Sequence, residues 1–138
     1  AYGLAGLRLG YIVASPEILD GLRRIQVPFT VTEPAMAGAI EALRHPDRVA
    51  ARVEHVDRER SRLTAALRDR MIPVADTQAN FVYADLGDAC DEIVEGLLRR
   101  GVIVRVVPPD GHVRISIGTT HEMDRFLEAF DAVNQAST

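Results

Sequence analysis

Residues 102–118 read VIVRVVPPDGHVRISIG. Two β-branched runs, 102–107 and 112–118, flank Pro108, Pro109, Asp110 and Gly111, and a run, a turn and a second run predict a β-hairpin. The second run alternates, with Val113, Ile115 and Ile117 on one face and His112, Arg114 and Ser116 on the other. The first is apolar on both faces except at Arg105. A loop symmetric about Pro109 and Asp110 sets Arg105 directly opposite Arg114. Like charges facing each other across strands are unfavourable. The economical explanation is an anion, or a neighbouring acid, between or near them; a one-residue change in loop geometry would remove the pairing.

Helices are expected on both sides of this hairpin. Upstream, Gly87 and Asp88 open one, with Asp91 and Glu92 in its first turn and Ile93, Val94, Leu97 and Leu98 as its apolar stripe. Arg99, Arg100 and Gly101 stop it: cations in the last turn, glycine just beyond. Downstream, Thr119 and Glu122 fit a capping box, followed by Met123, Phe126, Leu127 and Phe130 facing inward. His121 falls on the exposed side, and the tail 134–138 is expected to fray. Residues 79–84 read as a strand, with Asn80, Val82 and Ala84 on one face. A buried asparagine needs partners, so Asn80 either satisfies nearby backbone or meets a ligand.

Further back, residues 48–70 predict a long helix with Val49, Val53, Val56, Leu63 and Leu67 as a narrow seam that skips at Arg60. Its many charges, and His55 with them, read as a solvated face. His45, Pro46 and Asp47 separate it from an alanine-rich helix that starts near Thr32 and Glu33, with Asp47 as the expected cap. Residues 27–32 are expected to be extended, because a residue before proline avoids the helical region. Phe29 within them reads as core packing. Ser15, Pro16 and Glu17 begin a helix that runs to about Gln26, and residues 9–14 read as a short buried strand.

The chain opens with AYGLAGLRLGY, in which Gly3, Gly6 and Gly10 bracket Arg8. Such a turn lets backbone come close to a ligand, and a fixed arginine beside it suits two phosphate oxygens. The bland alternative is a tight turn with a solvated arginine. The spacing is neither G-x-G-x-x-G nor a P-loop. Composition narrows the classes further. With 138 residues, 47% apolar content and a net charge of −4, the chain suits one domain or one domain plus an appended piece. No basic block invites nucleic acid, and no apolar run approaches membrane-spanning length. A single cysteine excludes a disulfide framework, and the four histidines show no metal-ligand spacing. The chain reads as cytoplasmic. All sixteen basic side chains are arginine, and lysine is absent.

Residues 1–11 resemble the segment Ala-(Phe/Tyr)-Gly-Leu-Ala-Gly-Leu-Arg-x-Gly-Tyr that follows the Schiff-base lysine in fold-type I pyridoxal-phosphate aminotransferases. The resemblance is to the histidinol-phosphate aminotransferase family and its close relatives acting on aromatic amino acids. It extends to Val-Pro-Phe-x-Val at 27–31, Gln-Ala-Asn-Phe-Val at 78–82 and Val-Arg-Ile-x-Ile-Gly-Thr at 113–119. It implies an α/β fold: the end of the large cofactor domain over 1–29, then the small C-terminal domain over 30–138. It implies pyridoxal 5'-phosphate as cofactor, with Arg8 on its phosphate, and a catalytic lysine expected just before Ala1, so that no catalytic residue lies in the chain. Arg114 is then expected on the α-carboxylate of carboxylate-bearing substrates, Arg105 in the pocket and, for histidinol phosphate, on its phosphate, and Phe29 near the pocket mouth. The implied activity is amino transfer from histidinol phosphate to 2-oxoglutarate in histidine biosynthesis, by a homodimer joined to upstream polypeptide. An aromatic amino acid such as phenylalanine is the alternative donor. A non-catalytic α/β domain that binds an anion through Arg105 and Arg114 is the reading from another class. The fragment alone, lacking any lysine, is expected to be inactive.

Overall fold

The computed structural model of the chain describes residues 2–135. Ala1, which opens the glycine-rich segment, and residues 136–138 of the expected frayed tail lie outside them. The chain divides into two units, Ala1–Val53 and Glu54–Thr138.

The C-terminal unit is built on three antiparallel strands: β1 (Phe81–Asp85), β2 (Arg105–Val107) and β3 (His112–Ser116), in the order β1-β3-β2. Alternation decides what each strand buries. Val82 and Ala84 of β1 and Val113 and Ile115 of β3 are buried, as their phase in the sequence requires. They share a core with Leu63 and Leu67 of α3 (Pro46–Asp69), Ile93 and Leu97 of α4 (Cys90–Arg99), and Met123, Phe126 and Phe130 of α5 (Thr120–Asn134). Helix α5 starts on the expected capping box: Glu122 N donates to Thr119 Oγ1, and Thr119 N donates to the Glu122 carboxylate at 2.7 Å. Gly101, at φ 75°, ends α4 by letting its own N–H reach Leu98 O and that of Val102 reach Leu97 O. Gly96 is where α4 meets α5, since a Cβ there would lie 2.7 Å from Val133 Cγ2.

Several expectations about the elements of this unit need correction. The first strand begins at Phe81 instead of Ala79, with Asn80 exposed at the bend ahead of it. Only Arg105–Val107 of the 102–107 run is paired. Leu98 is 56% exposed, since it lies just off the arc of α4 that Ile93 and Leu97 bury. Met71 is left-handed at φ 62°, closing α3 as Gly101 closes α4, instead of starting an extended piece.

The N-terminal unit holds a 3-10 turn (Ala5–Leu7), α1 (Pro16–Ile25), α2 (Glu33–Leu43) and the first turns of α3. Thr32 caps α2 by accepting from Ala35 N, so the helix starts at Glu33 within the expected region, whereas Pro46 is already the first residue of α3 and Asp47, expected as its cap, lies inside its first turn. The strand expected over residues 9–14 is irregular chain, with Tyr11, Ile12 and Val13 exposed. A strand needs a neighbour for its backbone groups, and no described residue provides one. Residues 27–32 turn at Phe29, whose φ is 59° and whose side chain is fully exposed; core packing is therefore not its role within this unit. Ala35 is the unit's one buried apolar residue among those described.

Candidate functional site

The sheet of the C-terminal unit has a second face, opposite its core. There the register places Tyr83 beside Arg114 and Arg114 beside Arg105 in one row. Asp85, His112 and Val107 form the next row, and Phe81 and Ser116 the one on the other side. The pairing of Arg105 with Arg114 is the one the symmetric loop predicts. Around it the side chains interlock. The Tyr83 ring stacks on His112 with centroids 5.1 Å apart, and its hydroxyl donates to Pro108 O at 2.8 Å. Asp85 Oδ2 stands 3.8 Å from His112 Nε2. The Arg114 guanidinium carbon lies 5.1 Å from the centre of the Phe81 ring.

Arginine is abundant here, so what matters is which of them is uncommitted. Four arginines are half-buried among the described residues: Arg60, Arg62, Arg70 and Arg114. Arg60 donates to Ala79 O and Asp57, Arg62 to Glu59 and Asp124, and Arg70 to Asp131 and Ala66 O. Arg114 makes no hydrogen bond or ion pair with any described residue, and its Nε is closed off from solvent. No acid among the described residues pairs with Arg114, so a neighbouring carboxylate does not explain the two facing arginines. Burying part of a cation without a counter-charge is unfavourable. An incoming carboxylate or phosphate would relieve that.

The ends of β1 and β3 nearest Phe81 are held by α3. His55, expected on the solvated face, is half-buried and donates from Nε2 to Gly118 O at 2.9 Å, while Nδ1 accepts from Arg58 at 3.1 Å. Glu59 is 2% exposed, another correction to the solvated reading. Its carboxylate accepts from Arg62 Nε and Nη2 and, at 2.8 Å, from Thr120 Oγ1. The Arg62 guanidinium holds the Glu59 carboxyl below the usual range against the opposing effect of burial. Arg60 fixes Ala79 O at 2.9 Å, and Ile117 N closes the sheet end on Asn80 O at 2.9 Å. Asn80 takes part through its backbone alone; its side chain is exposed rather than buried, because the strand starts one residue later.

Arg8 and Phe29 belong to the N-terminal unit. Arg8 is exposed at φ 58°, capping the 3-10 turn, and its Nη1 donates to Ala5 O at 3.1 Å. Its other N–H groups are uncommitted among the described residues, and nothing lies within 4 Å of a Cβ built on Gly6 or Gly10. The side chain and its open surroundings fit one end of a phosphate group. A groove of about 520 Å³ runs along α3 past Arg60, Thr64, Arg68, Asp76 and Thr77 and includes none of the expected site residues. No cluster of metal-ligating side chains occurs among the described residues, and no helix among them is long and apolar enough to cross a membrane. Sequence reasoning missed Phe81 and Tyr83 as neighbours of Arg114. The alternation that put Arg114 on this face puts them there too, once β1 is paired with β3.

Known proteins share this arrangement of elements. The sequence pattern of the family "Aminotransferase class I and II" matches residues 1–130. The chain is 43% identical over 131 residues to an aromatic amino acid aminotransferase of Rhodococcus erythropolis, covering 95% of this chain and 36% of that protein. It is also 43% identical over 136 residues to histidinol-phosphate aminotransferase 2 of Methylococcus capsulatus, covering 96% and 37%. The crystal structure of a histidinol-phosphate aminotransferase from Sinorhizobium meliloti, in complex with pyridoxal-5'-phosphate, superposes with a TM-score of 0.83 at 28% identity, covering 99% of this chain and 39% of that one. The chain thus spans little more than a third of the length of the curated relatives it matches. Members of the matched family depend on pyridoxal phosphate. With the family's pattern running through both units and its fold reproduced, the chain belongs to the class I and II aminotransferases.

Proposed function

We propose that this chain is the C-terminal part of a pyridoxal-phosphate aminotransferase that moves an amino group from histidinol phosphate to 2-oxoglutarate. The observation that carries the reading is Arg114: a half-buried cation with no hydrogen-bond or ion-pair partner among the described residues, paired across the sheet with Arg105. Arg114 grips the α-carboxylate of the carboxylate-bearing substrate, 2-oxoglutarate, in the plane of its guanidinium, which orients the reacting carbon toward the cofactor. Arg105 adds a second positive charge for a phosphate or a distal carboxylate. Arg8 holds the cofactor phosphate. When bound, the cofactor supplies the electron sink for breaking the bond to the α-proton. The amine that anchors the cofactor and carries that proton comes from outside the chain, which has no lysine. In this reading residues 1–29 complete the cofactor domain, residues 30–138 form the small domain, and the enzyme works as a cytoplasmic homodimer on small molecules.

A second donor is favoured by a specific observation. The rings of Phe81 and Tyr83 stand beside Arg114 on the exposed sheet face, and the relative in Rhodococcus erythropolis is named for aromatic amino acids. The test is turnover by the full-length parent enzyme on histidinol phosphate and on phenylalanine, each with 2-oxoglutarate. A higher kcat/KM for histidinol phosphate supports the first reading, and a higher value for phenylalanine moves the assignment to the second. Turnover of neither, with anion binding retained, leaves the non-catalytic anion-binding domain.

A further inference from the structure

We propose that Phe81 is a positioning residue for the substrate carboxylate, its ring holding the Arg114 guanidinium so that the edge bearing the two Nη groups faces the ligand. The inference rests on the reading of Arg114 as the carboxylate site. Arg114 has no hydrogen bond to fix its long side chain. What it has is the Phe81 ring, 5.1 Å from its guanidinium carbon. Phe81 is paired with Ser116, so it reaches Arg114 on the diagonal, where aromatic and long side chains meet.

The geometry of the contact explains why it suits a binding site. The Arg114 guanidinium carbon lies over the face of the Phe81 ring, whereas a carboxylate pairs with the guanidinium's edge, in its plane. The two contacts do not compete. Phe81 can therefore hold Arg114 in the free enzyme and keep holding it when the ligand arrives. The Nε is closed off, which leaves the Nη1–Nη2 edge for a two-point pair. Phe81 is itself held from behind: Arg60 grips Ala79 O, Ile117 N grips Asn80 O, and His55 grips Gly118 O. A flexible arginine loses more freedom on binding than one already held, so pre-positioning lowers the dissociation constant.

The experiment uses the full-length enzyme loaded with cofactor, as wild type, Phe81→Leu, Phe81→Tyr and Arg114→Ala. Leucine keeps apolar bulk in the strand and removes the π face; tyrosine keeps both. Calorimetry measures binding of 3-phenylpropanoate, an unreactive carboxylate, and steady-state kinetics give KM and kcat for 2-oxoglutarate. Phe81→Leu is expected to raise both Kd and KM about fivefold, as loss of one partly desolvated cation–π contact would. Its kcat should stay near wild type, and Phe81→Tyr should restore both constants. Unchanged constants in Phe81→Leu, or equal losses in the leucine and tyrosine variants, overturn the positioning role. If Arg114→Ala weakens binding while Phe81→Leu does not, that role alone falls. If Arg114→Ala also binds as wild type, the carboxylate assignment falls with it.

Discussion

Glu59 is the one buried charged residue among those described, and its position shows what a single side chain decides in this fold. It lies four residues before Leu63 and eight before Leu67, both fully buried, so it continues their stripe down α3. That spacing was legible in the sequence. It was obscured because a carboxylate on a heavily charged helix looks the same whichever way the helix turns. Replacing Glu59 with Gln removes the charge that Arg62 was matched to and should destabilise the fold by about 2 kcal/mol in chemical denaturation, as loss of a charged hydrogen-bond pair does. The pH dependence follows from the sign of the shift. Arg62 lowers the Glu59 carboxyl, and Arg70 lowers that of Asp131, so the unfolded chain binds more protons than the folded one in acid. Their stabilisation is complete above the ordinary carboxylate pKa of about 4 and is lost as pH falls through the lower folded values. Unfolding midpoints measured between neutral and strongly acid pH should drop on the acid side, with a shallower drop in Glu59→Gln. Met71 gives the opposite case: it is 87% exposed and left-handed at φ 62°, so Met71→Gly should stabilise the protein by about 0.5 kcal/mol through relief of backbone strain.

At the scale of elements, the hairpin was readable because a four-residue loop and strict alternation fix its register without help from the rest of the chain. The capping box of α5 and the glycine stop of α4 were readable for the same reason: each is satisfied within a few residues. Residues 9–14 have the composition of a strand and no ladder, since pairing depends on residues far away in sequence. Phe81 and Tyr83 entered the site only when β1 was known to lie against β3. Where α4 crosses α5 the constraint is again long-range. Alanine is the better helix former by about 1 kcal/mol, yet a methyl group on Gly96 would collide with Val133. Gly96→Ala should therefore destabilise by about 1–3 kcal/mol, and Val133→Ala in the same chain should recover part of the loss. Denaturant midpoints of the two single variants and the double variant check this.

For the molecule as a whole, the two units differ in how much they bury. The C-terminal unit encloses a core drawn from α3, α4, α5, β1 and β3, while the N-terminal unit leaves Tyr11, Ile12, Val13, Ile25, Val27 and Phe29 exposed. Native-state hydrogen exchange on the 138-residue chain should find slow amides in β1, β3, α4 and α5 and rapid exchange through α1 and the residues before it. The family was legible from short phrases spread along the chain, but the donor was not, because the same two arginines serve carboxylate and phosphate alike. The assignment of Arg114 to the carboxylate of 2-oxoglutarate is tested most directly by the KM for 2-oxoglutarate of the full-length enzyme carrying Arg114→Gln. A rise of roughly tenfold or more is expected, from losing a charged pair of about 1.5–3 kcal/mol, with the cofactor's absorbance unchanged. A KM equal to that of the wild type would contradict it.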